Sequence, residues 1–483
     1  MKKILLAVTI LTVLLISGFY HPADRAEGTL VVVDTLASSL IVPWDICFLP
    51  SGDMLFTERN GKVRKYADGR LDPKPVLQVP DIEVEGKRGL LGLCLHPDFA
   101  RNHFLYLAYN HRDDDKSLLR VARYEYVDDS LINPKTIIEG IPASHNHTGC
   151  RLKFGPDKKL YITTGDADMP MLSQDLKAFN GKILRLNDDG SIPADNPFMS
   201  NDTARHEIWT YGHRNSQGIA FQPGTNLLFN TEHGPTGGDE VNLISKGKNY
   251  GWPVIHHRDV KPGMTKSLME FSPSIGPAEA LFYSGKAFPA LKGHLLAGNM
   301  RGEAILNVTL KNQQITAYNF LFKNMFGRIR ALAEGPDGTL YISTSMIDPP
   351  ETNMTVGEKG YDLLLHIRPA KPGERDRAIN LETSGTMIQA INNTAPKPPG
   401  NSERKPEVLY AQLCASCHGA SLEGKDKVPS LVDDNWVHGG QKSDIIRSIR
   451  DGIISKGMPA WRGVLTKDEI DKIAGYILNK GRK

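Results

Sequence analysis

The sequence predicts an all-β six-bladed β-propeller followed by a small all-α domain, and three observations predict it. One short phrase, a Pro/Asp/Gly turn running into a β-prone strand, recurs along the first three quarters of the chain. A polar stretch rich in Pro and Asn then interrupts the pattern. Behind it the hydrophobic period changes from that of strands to that of a helix. At 483 residues the chain is also too long for a single core of ordinary size.

The elements follow in order. Residues 1–20, MKKILLAVTILTVLLISGFY, carry two lysines and then an apolar run from Ile4 to Ile16. They read as the n-region and h-region of a secretory signal, and the run is short for a spanning helix. No Cys follows that would support lipoprotein anchoring. Neither Ser17-Gly18-Phe19 nor Asp24-Arg25-Ala26 is a clean cleavage site, so retention as an N-terminal membrane anchor stays open. The expectation is a periplasmic or otherwise exported protein. Cys47, Cys94 and Cys150 then read as buried small apolar residues, with one disulfide among them as the exported alternative. With 58 basic against 55 acidic side chains, nothing calls for nucleic acid.

From 28 to 368 the repeat governs. Leu-Pro-Ser-Gly-Asp-Met-Leu-Phe-Thr (49–57), Phe-Gly-Pro-Asp-Lys-Lys-Leu-Tyr-Ile-Thr (154–163) and Glu-Gly-Pro-Asp-Gly-Thr-Leu-Tyr-Ile-Ser (334–343) are the clear copies. Weaker ones run from His-Pro-Asp-Phe (96–99) into 104–108, and lie at 222–229 and 291–297. Each is a hairpin signal, and six copies at uneven intervals predict six blades. A two-sheet sandwich is the rival, but the region is long for one. Residues 369–404 are the linker. In the last segment, 405–483, Thr466-Lys467-Asp468-Glu469 is a capping box. Ile470, Ile473, Ala474, Ile477 and Leu478 follow it on one helical face.

That last segment also holds Cys-Ala-Ser-Cys-His, 414–418. Two cysteines two apart with histidine next is a haem c attachment signature. Cys414 and Cys417 would form the thioethers and His418 would ligate the iron. Met458, the only methionine between 405 and 483, is the expected second axial ligand, with His438 as its rival. A zinc site would want a second ligand pair, and a thioredoxin-type motif would want a βαβ context; neither is present. With Gly-Met-Pro on a loop before a final helix, the segment resembles small class I cytochromes c.

In the propeller region, polar residues gather in 145–166, 211–254, 299–302 and 328–330. Glycines flank His213-Arg214-Asn215-Gln217, and Gly-rich acidic loops such as 231–244 suit calcium. Five stretches carry a resemblance: 89–99 (GLLGLCLHPDF), 147–152 (HTGCRL), 212–218 (GHRNSQG), 232–242 (Glu-His-Gly-Pro then Asp-Glu-Val-Asn) and 328–330 (RIR). With these the chain from about 28 to 368 resembles the soluble PQQ-dependent glucose/sorbosone dehydrogenases, six-bladed propellers that bind pyrroloquinoline quinone. The resemblance implies PQQ and calcium as cofactors. It implies His147 as general base, Asp166 as the carboxylate orienting it, and Arg214 as the cation at the quinone's C5 oxygen. His145 is a weaker candidate base. Asn215 and Ser274 match positions that hydrogen-bond PQQ, while Arg301, Arg328 and Arg330 match those holding its carboxylates. The carbonyls of Gly234 and Pro235 match calcium ligands, and Glu240 and Tyr250 match a second, structural calcium site. Three departures bear on this. Phe271-Ser272 stands where glucose-binding members carry aromatic residues before the Pro-Ser/Thr, so one sugar-stacking aromatic is missing; Lys87 stands where an amide is common, and Arg301 replaces a lysine.

The reading that results is a quinohaemoprotein dehydrogenase. It would oxidise the C1 hydroxyl of an aldose-type sugar and pass electrons from PQQ to the fused haem c, then to an external cytochrome, quinone or copper protein. The alternatives are a six-bladed-propeller lactonase and a haem-bearing binding module without catalysis.

Overall fold

The computed structural model describes residues 29–235, 237–346, 360–381 and 388–389. In the C-terminal part it describes 406–424, 428–433, 435–453, 458, 461, 465 and 467–481. The signal expected at 1–20 lies outside the described residues.

Six antiparallel sheets form the blades of a propeller. Their innermost strands are Pro43–Phe48, Leu90–Leu95, Leu152–Phe154, Ser216–Phe221, Pro277–Phe282 and Ile329–Glu334. Each packs on the next, and the last packs on the first, so the ring closes. All six copies of the repeated phrase fall at the turn between a blade's first and second strands. The same main-chain bond recurs there: Leu49 N–H donates to Asp53 O, Gly155 to Lys159 and Gly335 to Thr339, at 2.8–2.9 Å. The turn needs one residue at positive φ, which Gly52 (+92°) and Gly338 (+85°) supply without strain.

Closure comes from the two ends of the propeller region. Leu30–Leu40 is the outer strand of the sixth blade, paired along Asp362–Pro369 from Val31 opposite Pro369 to Leu40 opposite Asp362. The hole of the ring is filled. Arg151, 1% exposed, pairs with Asp45 at 2.9 Å and with Glu279, and its guanidinium lies 4.1 Å from the centre of the Trp44 ring. Three blades are thereby tied through one buried cation.

The beginning of the linker differs from a loose tether. Ile379–Asn380 pairs with Leu30–Val31 on the sixth blade, and Ile388–Gln389 with Ala317–Tyr318 on the fifth. The polar composition conceals Leu381, which is buried in the core beside Val31. It also conceals four charges that interlock: Arg368 binds Asp34 (2.6 Å) and Glu374 (2.7 Å), and Arg377 binds both acids again.

The C-terminal part contains helices Pro406–Leu413, Ala415–His418, Lys442–Asp451 and Lys467–Gly481. Its core is its own: Leu409, Tyr410, Ile445, Ile449 and Trp461 meet Ile470, Ile473, Ala474 and Ile477 of the terminal helix, with Leu478 at the margin. Cys47, Cys94 and Cys150 are unbridged thiols inside the propeller, each pushed up by burial.

Candidate active site

Loops at one end of the inner strands meet in a cleft lined by Trp44, Lys87, His147, Thr148, Gly149, Asn215, Gln217, His233 and Arg330. Residues from blades one, two, three, four and six and the loops entering them are represented, so the fold assembles the cleft from distant sequence.

His147 sits at φ +51°, where the chain turns into blade three. Its Nδ1 is 2.7 Å from Asp166 Oδ1, in the loop after that blade's second strand. With Nδ1–H donated to a carboxylate, Nε2 keeps its lone pair toward the cleft. The two loops touch through Gly165: a Cβ there would lie 1.8 Å from the His147 carbonyl oxygen. Burial and then the Arg214 charge hold the His147 imidazole below its ordinary value, against the pull of Asp166. Asp166, fully buried, is nevertheless held below the usual carboxylate range by His147, Arg214 and Trp252. His145, by contrast, is exposed.

Trp252 lies in the polar region 211–254, and the sequence motifs assign it no role. Its indole Nε1–H donates to Asp166 Oδ2 at 2.8 Å, and the Arg214 guanidinium lies 5.4 Å from its ring centre. Gln174 fixes the loop, donating to the Trp252 carbonyl at 2.6 Å while its amide oxygen accepts from Asn249 at 2.8 Å. One aromatic ring therefore orients both the acid of the pair and the cation beside it.

Arg214 donates to the His233 carbonyl at 3.3 Å, and its buried Nε has no acceptor among the described residues. Its backbone N–H is held by Glu232, which also accepts from His213 Nδ1 at 2.8 Å. His213, stacked on Tyr250, is thus a scaffold for Arg214. Asn215 accepts from Gln217 at 2.9 Å, and Gln217 accepts from Arg330 at 2.9 Å. Arg330 is buried and lines the cleft; Arg328 stands one residue before the strand, half-buried, and Arg301 is exposed. His233, its Nε2 2.8 Å from the Pro277 carbonyl, is held far below the ordinary imidazole range by burial, Arg330, Lys87 and Arg214. A cleft that keeps this histidine neutral and presents three cations suits an anionic ligand, and a tricarboxylate fits it.

Gly234 and Pro235 lie on a turn organised by Asp239. Its Oδ1 accepts from Gly234 N–H (2.9 Å), and its Oδ2 from Ser274 Oγ (2.7 Å) and the amides of Ile275 and Gly276. A Cβ on Gly234 would fall 2.1 Å from the Gly237 oxygen, so glycine is needed for this carbonyl-rich turn. Such a donor set is suited to calcium. Glu240 stands between Glu232 and Glu270 on adjacent strands, and burial with these carboxylates pushes it well up. Tyr250 donates to the Leu243 carbonyl at 2.6 Å. Phe271 is buried in the core, and Ser272 donates to Glu270 at 2.6 Å.

In the C-terminal part, Cys414 caps the short helix that ends in His418. Cys414 and Met458 pack against the same apolar core, and Met458 is held by paired bonds to Ile453. Burial pushes His418 down. His438 is exposed. This arrangement brings the attachment segment and Met458 together on one apolar surface that a porphyrin can cover.

Comparison with known proteins agrees. The Glucose / Sorbosone dehydrogenase family model matches residues 40–350, and that of cytochrome c oxidase, cbb3-type, subunit III matches 401–477. The chain is 34% identical to the aldose sugar dehydrogenase YliI of Escherichia coli, over 66% of this chain and 91% of that one. It is 39% identical to quinoprotein glucose dehydrogenase B of Acinetobacter calcoaceticus, over 46% and 52%. The PQQ-bound aldose sugar dehydrogenase of Streptomyces coelicolor superposes with a TM-score of 0.61 at 30% identity, covering 71% of this chain and 99% of that one.

Proposed function

The chain belongs to the glucose/sorbosone dehydrogenase family, and from that premise we propose that it is an exported quinohaemoprotein. It oxidises the C1 hydroxyl of an aldose-type sugar to the lactone and delivers the electrons through its own haem c. The observation that carries this reading is the oriented His147–Asp166 pair, 2.7 Å apart, opening with Arg214 onto a cationic cleft.

PQQ, when bound with calcium, supplies the two-electron acceptor for the C1 hydride. The chain's own residues supply the rest. His147 Nε2 takes the C1 hydroxyl proton, and Asp166 holds the ring in the tautomer that leaves Nε2 basic. Arg214 would set a fixed positive charge against the quinone, and its effect would be strong because the cation is already desolvated. Arg330, Arg328, Arg301 and Lys87 hold the carboxylates, while Asn215 and Ser274 add hydrogen bonds. Gly234 and Pro235 offer carbonyls to calcium. A second cation at Glu240 and Tyr250 would relieve the repulsion among Glu232, Glu240 and Glu270. In the last domain Cys414 and Cys417 would hold a haem covalently, and His418 and Met458 would supply the ligands to its iron.

A lactonase would have no use for the cations of this cleft or for a haem. The test is a screen of aldoses with a redox dye as acceptor, with PQQ and calcium added singly and together. Turnover that needs both supports the proposal. Lactone hydrolysis without PQQ would replace it with the hydrolytic reading.

A further inference from the structure

Two exposed methionines stand beside the arginine side of the cleft. Met325 is 47% exposed in the loop 322–328, and Met346 is 54% exposed after strand Leu340–Thr344. They form one patch: the Met346 sulfur lies 3.8 Å from where a Cβ on Gly327 would be, and Ser345 N–H donates to the Arg328 carbonyl at 3.0 Å. Large apolar side chains in water at a site's mouth mark docking surfaces, and methionine suits a surface that must repack. A second apolar patch, Met169 and Met171, flanks the opposite rim, beside the His147 loop.

The linker decides between them. Its pair Ile388–Gln389 lies on the fifth blade, and sixteen residues, 390–405, separate that pair from helix Pro406–Leu413. That pair stands level with Ala317–Tyr318. The pairing is antiparallel, so the chain leaves it toward Gln314; about 10 Å the other way the fifth blade's outer strand ends at Leu321 and enters the loop that bears Met325. The Met325/Met346 patch, on the fifth and sixth blades, is the nearer of the two to that pair, since Met169 and Met171 lie on the third blade. Among the described residues of the C-terminal domain, the large apolar side chains that stand exposed are Val432 (39%) and Val437 (75%). Both lie between the haem attachment segment and Met458.

We propose that the haem domain of this chain docks through Val432 and Val437 onto Met325 and Met346, on the arginine side of the cleft. The docking is transient and delivers electrons within one molecule. The inference rests on the proposed dehydrogenase for its purpose, but the contact is a separate claim. Two electrons leave per sugar oxidised. They pass singly through the Cys414–His418 site to an external one-electron acceptor, and the two protons go to solvent.

Two experiments on the full, haem-loaded chain test it. The first is disulfide trapping of M346C with V437C under mild oxidant, with M171C/V437C as comparison; no turnover is involved. Trapping at 346 in preference to 171 is expected. Equal or preferential trapping at 171 overturns the proposal. The second compares the rate of haem reduction after sugar is added, in M325E/M346E and in M169E/M171E, each with dye-linked turnover measured alongside. A tenfold or larger loss confined to M325E/M346E, with dye turnover unchanged, is expected. An unchanged rate overturns the proposal. If trapping succeeds but sugar never reduces the unaltered chain's haem, the contact stands and the dehydrogenase reading fails.

Discussion

At the residue scale the chemistry depends on one imidazole that must stay neutral. Burial and Arg214 hold His147 below its ordinary value of 6.5. The basic form is thus present throughout the neutral range and is lost only as pH falls through the lowered value. The acid limb of kcat/KM is expected below pH 6.5, and a limb above it would contradict this environment. Asp166→Asn should cost about 10³–10⁴-fold in kcat, by freeing the ring to take the wrong tautomer. Trp252→Phe separates packing from the hydrogen bond. The ring over Arg214 remains but the donor to Asp166 is lost, for about 10–100-fold in kcat. A less stabilised Asp166 draws the proton on His147 more strongly, so the acid limb should move up. A merely structural role for Trp252 would leave the pH profile in place. The sequence motifs carried His147, Asp166 and Arg214 to one cleft. They did not show Trp252 or Asp239 at work, because Trp252 reaches Asp166 from a distant loop and Asp239, at the start of its strand, gathers bonds from Ser274, Ile275 and Gly276, with no local spacing that records either.

At the element scale, the six turn-and-strand phrases located the first hairpin of every blade because each turn must repeat one local geometry, which sequence records. The third and fourth strands were less legible. Their loops vary in length, and long stretches such as 187–207 follow no period. Composition does not reveal two features of residues 369–404: two two-residue strands pair with the outer strands of two blades, and Glu374 and Arg377 pair with Arg368 and Asp34. The terminal helix was legible through its period, and it supplies a test. Ile473→Ala removes a fully buried side chain and should cost about 2–5 kcal/mol in the C-terminal domain. The propeller has a separate core, so calorimetry should show one lowered transition and one unmoved. A shift of both would mean that the two domains unfold together.

At the scale of the whole molecule, the ring is tied at its centre by Arg151 between Asp45 and Glu279. Burial, with Asp45 close by, pushes Glu279 up to about 8. Its folded value exceeds its unfolded one of 4.5, so between these the native state holds a proton that the unfolded chain has lost. Propeller stability should therefore fall as pH rises from about 4.5 to about 8. Glu279→Gln should flatten that slope in melting temperature against pH; a slope of equal steepness in the variant would place its origin elsewhere.

The central claim concerns the molecule as one circuit: a cleft that oxidises sugar and a haem that carries the electrons away. The most direct test is the visible spectrum of the haem-loaded protein, recorded as aldoses are added with PQQ and calcium present or withheld. The account predicts that the haem bands shift to the reduced form only when sugar, PQQ and calcium are all present. It also predicts a rate independent of protein concentration, as transfer within one chain requires. A haem that stays oxidised while a dye reports sugar oxidation would contradict the circuit.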